Sequence, residues 1–225
     1  SLALEGIELC REEGVDFLLA VGGGSVIDST KCIGYGLTNE GDVWDFYLKI
    51  REAKDCMPIG AVLTIAAAGS EMSNSSVMTN EDGMMKRGAR SDHSRCRFAV
   101  MNPELTYTLP AYQTASGCVD ILMHTMERYF SREPDTMLTD NLAEGLMRTV
   151  MYNAKLLKKE PKNYSARAEI MWAGSLSHNG LMGCGMSEDW ASHQMEHELS
   201  GMFDVAHGAG LSALWGSWAR YVYQE

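Results

Sequence analysis

The sequence predicts an α/β unit followed by an all-α unit, and three observations carry that prediction. Between residues 15 and 105, short apolar runs without polar alternation are separated by glycine-rich turns and helical stretches. That is the pattern of strands buried on both faces of a parallel sheet. The first of these runs leads straight into Gly22-Gly23-Gly24-Ser25 and then a helical stretch, a strand–turn–helix unit. From Pro110 onward only helical periodicity remains. The change of pattern near 108–111 therefore separates a unit 1–110 from a helical unit 111–225.

In chain order, residues 1–13 read as a helix whose apolar positions are Leu2, Leu4, Ile7, Leu9 and Cys10, stopped by Gly14. Residues 15–21 form the first strand, and 26–37 the helix after the glycine turn. Residues 38–55 are polar with aromatics, a loop holding a short helix. A second strand is expected over 57–67. A polar hairpin follows over 68–92 with its turn at Asn80-Glu81-Asp82-Gly83, and a third strand over 97–105 ends at Asn102-Pro103. Helices are expected over 111–131, 136–158, 165–182, 188–200 and 207–224.

Composition narrows the function classes. The 225 residues are 45% hydrophobic and 22% charged, ordinary values for a globular chain. The net charge of −11 and the lack of any basic stripe argue against a nucleic-acid partner. No apolar run approaches the ~18 residues of a membrane span, and the N-terminal stretch lacks the pattern of a signal peptide. Six cysteines, Cys10, Cys32, Cys56, Cys96, Cys118 and Cys184, are scattered without metal-type spacing, so we read them as reduced thiols of a cytoplasmic protein.

Two motifs point to chemistry. At Gly22, Gly23, Gly24 and Ser25 a strand delivers glycines to a helix N-terminus, where free N–H groups and the dipole favour a phosphate. Ser25 is placed to cap the helix and donate to that phosphate; the plainer alternative is a tight turn with no ligand. The small-residue stretch 63–77 is suited to a flat ligand at a strand end, or is simply a turn. Lys86 and Arg87 are placed to neutralise phosphate charge, or are only solvated.

The second motif is histidine-rich. Asp120 and His124 are four apart, as are His193 and His197, and His207 follows; Gly201 and Gly208 bracket the segment that returns it. Pairs at i and i+4 share one helix face, and two such helices can build a metal site in a bundle. Imidazole with carboxylate suits Zn²⁺, Fe²⁺, Mn²⁺ or Co²⁺. A surface or core histidine pair is the alternative. Lone His93 and His178 read as structural or surface residues.

Taken in order, GGGSVIDSTK, LTIAAAGSE, MNPELTYTLP, DILMH and HQMEHELSGMFDVAHG resemble the iron-containing (group III) alcohol dehydrogenase family. The likeness is greatest to its NADPH-dependent butanol dehydrogenases and broad-range aldehyde reductases. The resemblance implies a Rossmann-like dinucleotide-binding domain, incomplete here, followed by an all-helical metal-binding domain. It implies a chain shorter than a full member at both ends, with the dinucleotide-selecting loop outside it. It implies metal ligands Asp120, His124, His193 and His207, holding one Fe²⁺ or Zn²⁺. His197 is then left beside the substrate as a proton relay. Cofactor contacts fall to Gly22, Gly23, Gly24, Ser25, Thr64 and Lys86, with NADP(H) favoured over NAD(H). The implied activity is hydride transfer between that cofactor and a small aldehyde or alcohol, in a homodimer. The alternatives are a glycerol or lactaldehyde dehydrogenase, or a dehydroquinate-synthase-like lyase. Against the lyase stand Glu127, Glu196 and Glu198 on the metal helices, which read as hostile to an anionic substrate.

Overall fold

The computed structural model describes residues 2–131 and 133–223 and divides into two compact units. One comprises Ser1–Thr64 and Ser70–Met101; the other comprises Ile65–Gly69 and Asn102–Glu225. The outer ends of two expected helices, at residues 1 and 224, lie outside the described residues.

The first unit begins with helix α1 (Leu2–Glu12), ended by Gly14 at φ +63°. Strand β1 (Leu18–Gly22), helix α2 (Gly24–Thr38), the single turn α3 (Trp44–Tyr47) and strand β2 (Ile59–Leu63) follow. Strands β3 (Ser75–Asn80) and β4 (Met85–Arg90) form a separate antiparallel hairpin, and β5 (Phe98–Val100) closes the unit. The main sheet is parallel in the order β1-β2-β5, with Leu18 opposite Ile59 and Gly60 opposite Phe98. Ile7, Leu18, Tyr35, Phe46, Tyr47 and Ile59 form its core. A Cβ on Gly60 would stand 2.4 Å from the tip of the half-exposed Phe98 ring, which stacks on Phe17, so a larger residue there would have to displace that ring.

The strands differ from expectation in two ways. They are shorter, because residues 102–107 break into a 3-10 turn over Pro103–Thr106 instead of extending β5. Asn102 caps that turn by accepting from the Glu104 N–H at 3.1 Å, with Pro103 at its first position. Burial on both faces holds for β2, where only Val62 is partly exposed, but not for β1, which alternates, with Leu18 and Ala20 buried but Leu19 and Val21 55% and 58% exposed. Helix α2 packs against β1 and β2, whereas Phe98 and Val100 remain half-exposed like Leu19 and Val21.

The second unit is helical: α4 (Ala111–Tyr129), α5 (Met137–Leu157), α6 (Tyr164–His178), α7 (Ala191–Phe203) and α8 (His207–Tyr223). Ile121, Leu146, Val150 and Ile170 centre its core. Asn163 caps α6 by accepting from Ala166 N–H at 3.0 Å. The turn at Pro103–Thr106 packs on α6, so the division between units falls at 101–102 and not at 110. Among the described residues no helix is long and apolar enough to cross a membrane.

Candidate functional site

The glycine turn and the strand ends lie together in the first unit as one candidate site. Gly22 closes β1, Gly23 is the residue before α2, and Gly24 and Ser25 open the helix. The Thr64 N–H donates to Gly22 O at 3.0 Å, so the ends of β1 and β2 are tied together. A Cβ on Gly22 would stand 2.6 Å from the Val26 side chain, so the tight turn itself demands glycine there. Ser25 does not cap α2: it lies inside the first turn, and Gly23 precedes the helix with no side-chain cap bond. Lys86 lies on β4, in register with Thr79 of β3.

Behind the turn, α2 carries a buried polar cluster. Lys31 is fully buried and its ammonium donates to the carbonyls of Ser70, Ser73 and Ser75 at 2.7, 2.9 and 2.8 Å. Burial lowers the Lys31 pKa, opposed by the nearby Asp28 carboxylate. Asp28 accepts from Ser70 Oγ and from the Val77 N–H. The serine-rich segment after β2 is thus pinned to the helix that starts at the glycines.

The second unit gathers the histidines. Asp120, His124 and Glu127 share one face of α4 at i, i+4 and i+7. His193 and Glu196 share the buried face of α7, and His207 is the first residue of α8. Asp120 Oδ1 lies 3.6 Å from His193 Nε2, 3.7 Å from His207 Nε2 and 3.6 Å from His124 Nδ1. Asp120, His193 and His207 each bring a donor atom within 4.8 Å of the others; His124 faces the same carboxylate but stands outside that tight trio.

Helix α7 does not end at Gly201, which is buried within it. It ends at Asp204, in the left-handed conformation at φ 51°. Gly208 serves a close helix crossing. A Cβ there would lie 1.9 Å from Ser116 O, so only glycine lets α8 cross α4 closely enough to deliver His207.

The donor set fits a divalent metal. Asp120 Oδ1, His124 Nδ1 and His193 Nε2 are buried and have no hydrogen-bond partner, a costly state unless a cation completes them. Two ligands of a tetrahedral Zn²⁺ at about 2.0–2.2 Å stand roughly 3.3–3.6 Å apart, close to the observed spacings. The outer nitrogens are already engaged: His193 Nδ1 pairs with Glu127 Oε2, and His207 Nδ1 with Glu196 Oε2. Glu127 Oε1 also accepts from the His193 N–H at 3.2 Å. A carboxylate on Nδ1 fixes the tautomer and turns Nε2 inward as the ligand atom.

Burial pushes the His124 imidazole well below its usual pKa, reinforced by His178, His193, Arg128 and His207. At His193 burial acts in the same direction, but the facing Asp120 and Glu127 carboxylates outweigh it and carry the value up to about 9.

His197 points elsewhere on α7. Its ring centroid is 5.6 Å from that of His207 and 6.5 Å from that of His193. With Glu196 and His207 it forms a second close group of donor atoms, in which Glu196 is already engaged by His207.

Sequence reasoning missed Glu127 and Glu196 as partners of the imidazoles. It treated them as a field against anionic substrates. The signal was present: each lies three residues after a candidate ligand, on the same helix face.

Comparison with known proteins agrees with this architecture. Residues 1–103 match "Iron-containing alcohol dehydrogenase", and residues 114–225 match "Fe-containing alcohol dehydrogenase family, C-terminal". The chain is 41% identical over 221 residues to NADH-dependent butanol dehydrogenase A of Clostridium acetobutylicum, covering 98% of this chain and 57% of that protein. It is 39% identical over 219 residues to the NADPH-dependent aldehyde reductase YqhD of Escherichia coli, covering 94% and 57%. The crystal structure of NADH-dependent butanol dehydrogenase A from Thermotoga maritima superposes with a TM-score of 0.96 at 38% identity, over 99% of this chain and 56% of that one. The chain thus spans little more than half the length of these relatives. Two family matches covering nearly all of it, on a fold carrying a glycine turn and a buried Asp/His cluster, place the chain in the iron-containing alcohol dehydrogenase family.

Proposed function

We propose that the protein reduces small aldehydes to alcohols, and runs the reverse oxidation, with NAD(P)H and one divalent metal ion. The observation that carries this reading is the set of buried, partnerless donor atoms on Asp120, His124 and His193, joined by His207. Asp120, His124, His193 and His207 would hold the ion. When bound, Fe²⁺ or Zn²⁺ supplies Lewis acidity toward a carbonyl oxygen, and the reduced nicotinamide supplies the hydride.

The chain's own residues do the rest. Gly22, Gly23, Gly24 and Ser25 offer backbone and hydroxyl donors to the dinucleotide's phosphates. Thr64, tied to Gly22, lines the same strand end. Lys86, on β4, meets the dinucleotide on its ribose side. Glu127 and Glu196 hold His193 and His207 with Nε2 inward. His197, half-buried beside His207, passes the proton that the product hydroxyl gains or loses. Glu127 and Glu196 are spent on imidazoles, so they no longer speak against an anionic substrate. The dehydrogenase reading over a lyase now rests on the relatives' named activities.

The test is consumption of NADPH and of NADH with a panel of short aliphatic aldehydes, on metal-stripped protein with and without added Zn²⁺ or Fe²⁺. Metal-dependent oxidation is expected, faster with NADPH. No oxidation by folded, metal-loaded protein contradicts the reading. For His197, the His197→Ala variant is expected to lose turnover and change the pH profile; unchanged turnover and profile would remove the relay.

A further inference from the structure

Two of the three imidazoles facing Asp120 are oriented by carboxylates, and the third is not. His193 leans on Glu127 and His207 on Glu196 through Nδ1. His124 turns its Nδ1 toward Asp120, buried and without a hydrogen bond. Its ring is held by another ring. His178, the last residue of α6, stacks on it with centroids 4.0 Å apart and planes 28° from parallel. Trp190 meets both rings edge-on, at 5.9 Å from His124 and 5.7 Å from His178.

His178 is itself held in place. Arg128 Nη2 lies 3.3 Å from His178 Nδ1. A guanidinium only donates, so Nδ1 accepts and the ring proton sits on Nε2. The same buried guanidinium donates through Nη1 to His124 O at 2.6 Å and to Ser177 O at 3.2 Å. Its Nε donates to Glu188 Oε1 at 2.9 Å, and its carbon lies 4.5 Å over the Trp190 ring. One cation therefore grips the backbone of His124 and the side chain stacked on it.

We propose that His178, clamped by Arg128, is a positioning residue for His124. The stack does for His124 what the carboxylates do for His193 and His207. It fixes the ring plane, so that the nitrogen facing Asp120 stays directed at the metal. This inference rests on the metal-centre reading above.

The experiment is a Co²⁺ titration of the metal-stripped chain, read as affinity and as the d–d absorption spectrum. The variants are His178→Ala, His178→Asn and His178→Phe, with circular dichroism to establish the fold. Asn keeps an acceptor for Arg128 but no ring; Phe keeps a flat ring but no acceptor. We expect Ala and Asn to weaken Co²⁺ binding about tenfold and alter the band shape, and Phe to recover most of both. Wild-type affinity and spectrum in folded Ala or Asn variants would overturn the positioning role. So would a folded Phe variant no better than Asn. A wild-type chain that takes up no Co²⁺ would instead overturn the metal centre itself, and the inference with it.

Discussion

At the scale of single residues, the buried carboxylates behind the histidines each have a partner in place. Glu196 is fully buried and Glu127 nearly so, yet each meets an imidazole Nδ1. Replacing either by alanine leaves His193 or His207 free to rotate or change tautomer. Glu127→Ala and Glu196→Ala are each expected to weaken metal binding roughly 10- to 100-fold, measured by competition with a chromophoric chelator. Lys31 follows the same rule in the first unit. Its ammonium satisfies three carbonyls of the segment after β2. A Lys31→Met variant strands those acceptors in the interior, and we expect a loss of at least about 2 kcal/mol in chemical denaturation. An unchanged midpoint would show that the segment rearranges to find water.

At the scale of elements, close crossings decide which glycines matter. Gly208 and Gly145 both lie in helices, and their surroundings are opposite. A Cβ at 208 would meet the Ser116 backbone at 1.9 Å, whereas one at 145 meets nothing within 4 Å. Gly208→Ala is expected to push α8 off α4, carrying His207 out of the site and abolishing tight metal binding. Gly145→Ala is expected to stabilise α5 by about 0.5–1 kcal/mol and leave metal binding unchanged. Thermal melts with metal titrations on both variants check the pair. The sequence already announced the five long helices, because a 3.6-residue apolar period survives over 13 to 21 residues. Strand ends were less legible. An apolar run such as 57–67 does not show where sheet pairing stops, and pairing with β5 spans only Gly60 to Val62. The motif Asp120/His124 was readable from spacing alone. The role of His178 was not, because a ring stack between α6 and α4 leaves no periodic mark in the chain.

At the scale of the whole molecule, all six cysteines are free thiols, and the two buried beside Lys31 set an alkaline limit. Burial raises Cys32 to about 11 and Cys56 to about 12, from 9.0 in the unfolded chain. Between pH 9 and those values the unfolded chain has released protons that the folded one keeps. Stability is therefore full below pH 9 and falls as pH rises. Lys31, lowered from 10.5, acts with the opposite sign, but buried Tyr35 and Tyr47, both raised, side with the thiols. Melting temperature is expected to drop from pH 8.5 to pH 10.5, and less so in Cys56→Ala. A flat profile would contradict the burial of these thiols.

The two-unit plan was legible from the shift between short apolar runs and helical periodicity. The excursion of Ile65–Gly69 into the helical unit was not, since small residues carry no pattern of their own. They are chosen for contact: a Cβ on Gly117 would sit 2.2 Å from Ala66 O, and one on Gly69 2.5 Å from Gly174 O.

The central claim is that Asp120 and the histidines around it hold one divalent ion. It is tested most directly by elemental analysis of the purified chain, stripped, reloaded with Zn²⁺ or Fe²⁺ and desalted, beside Asp120→Ala and His207→Ala. We predict one equivalent of metal per wild-type chain and little in either variant. Stoichiometric metal in Asp120→Ala, or none in the folded wild type, would contradict it.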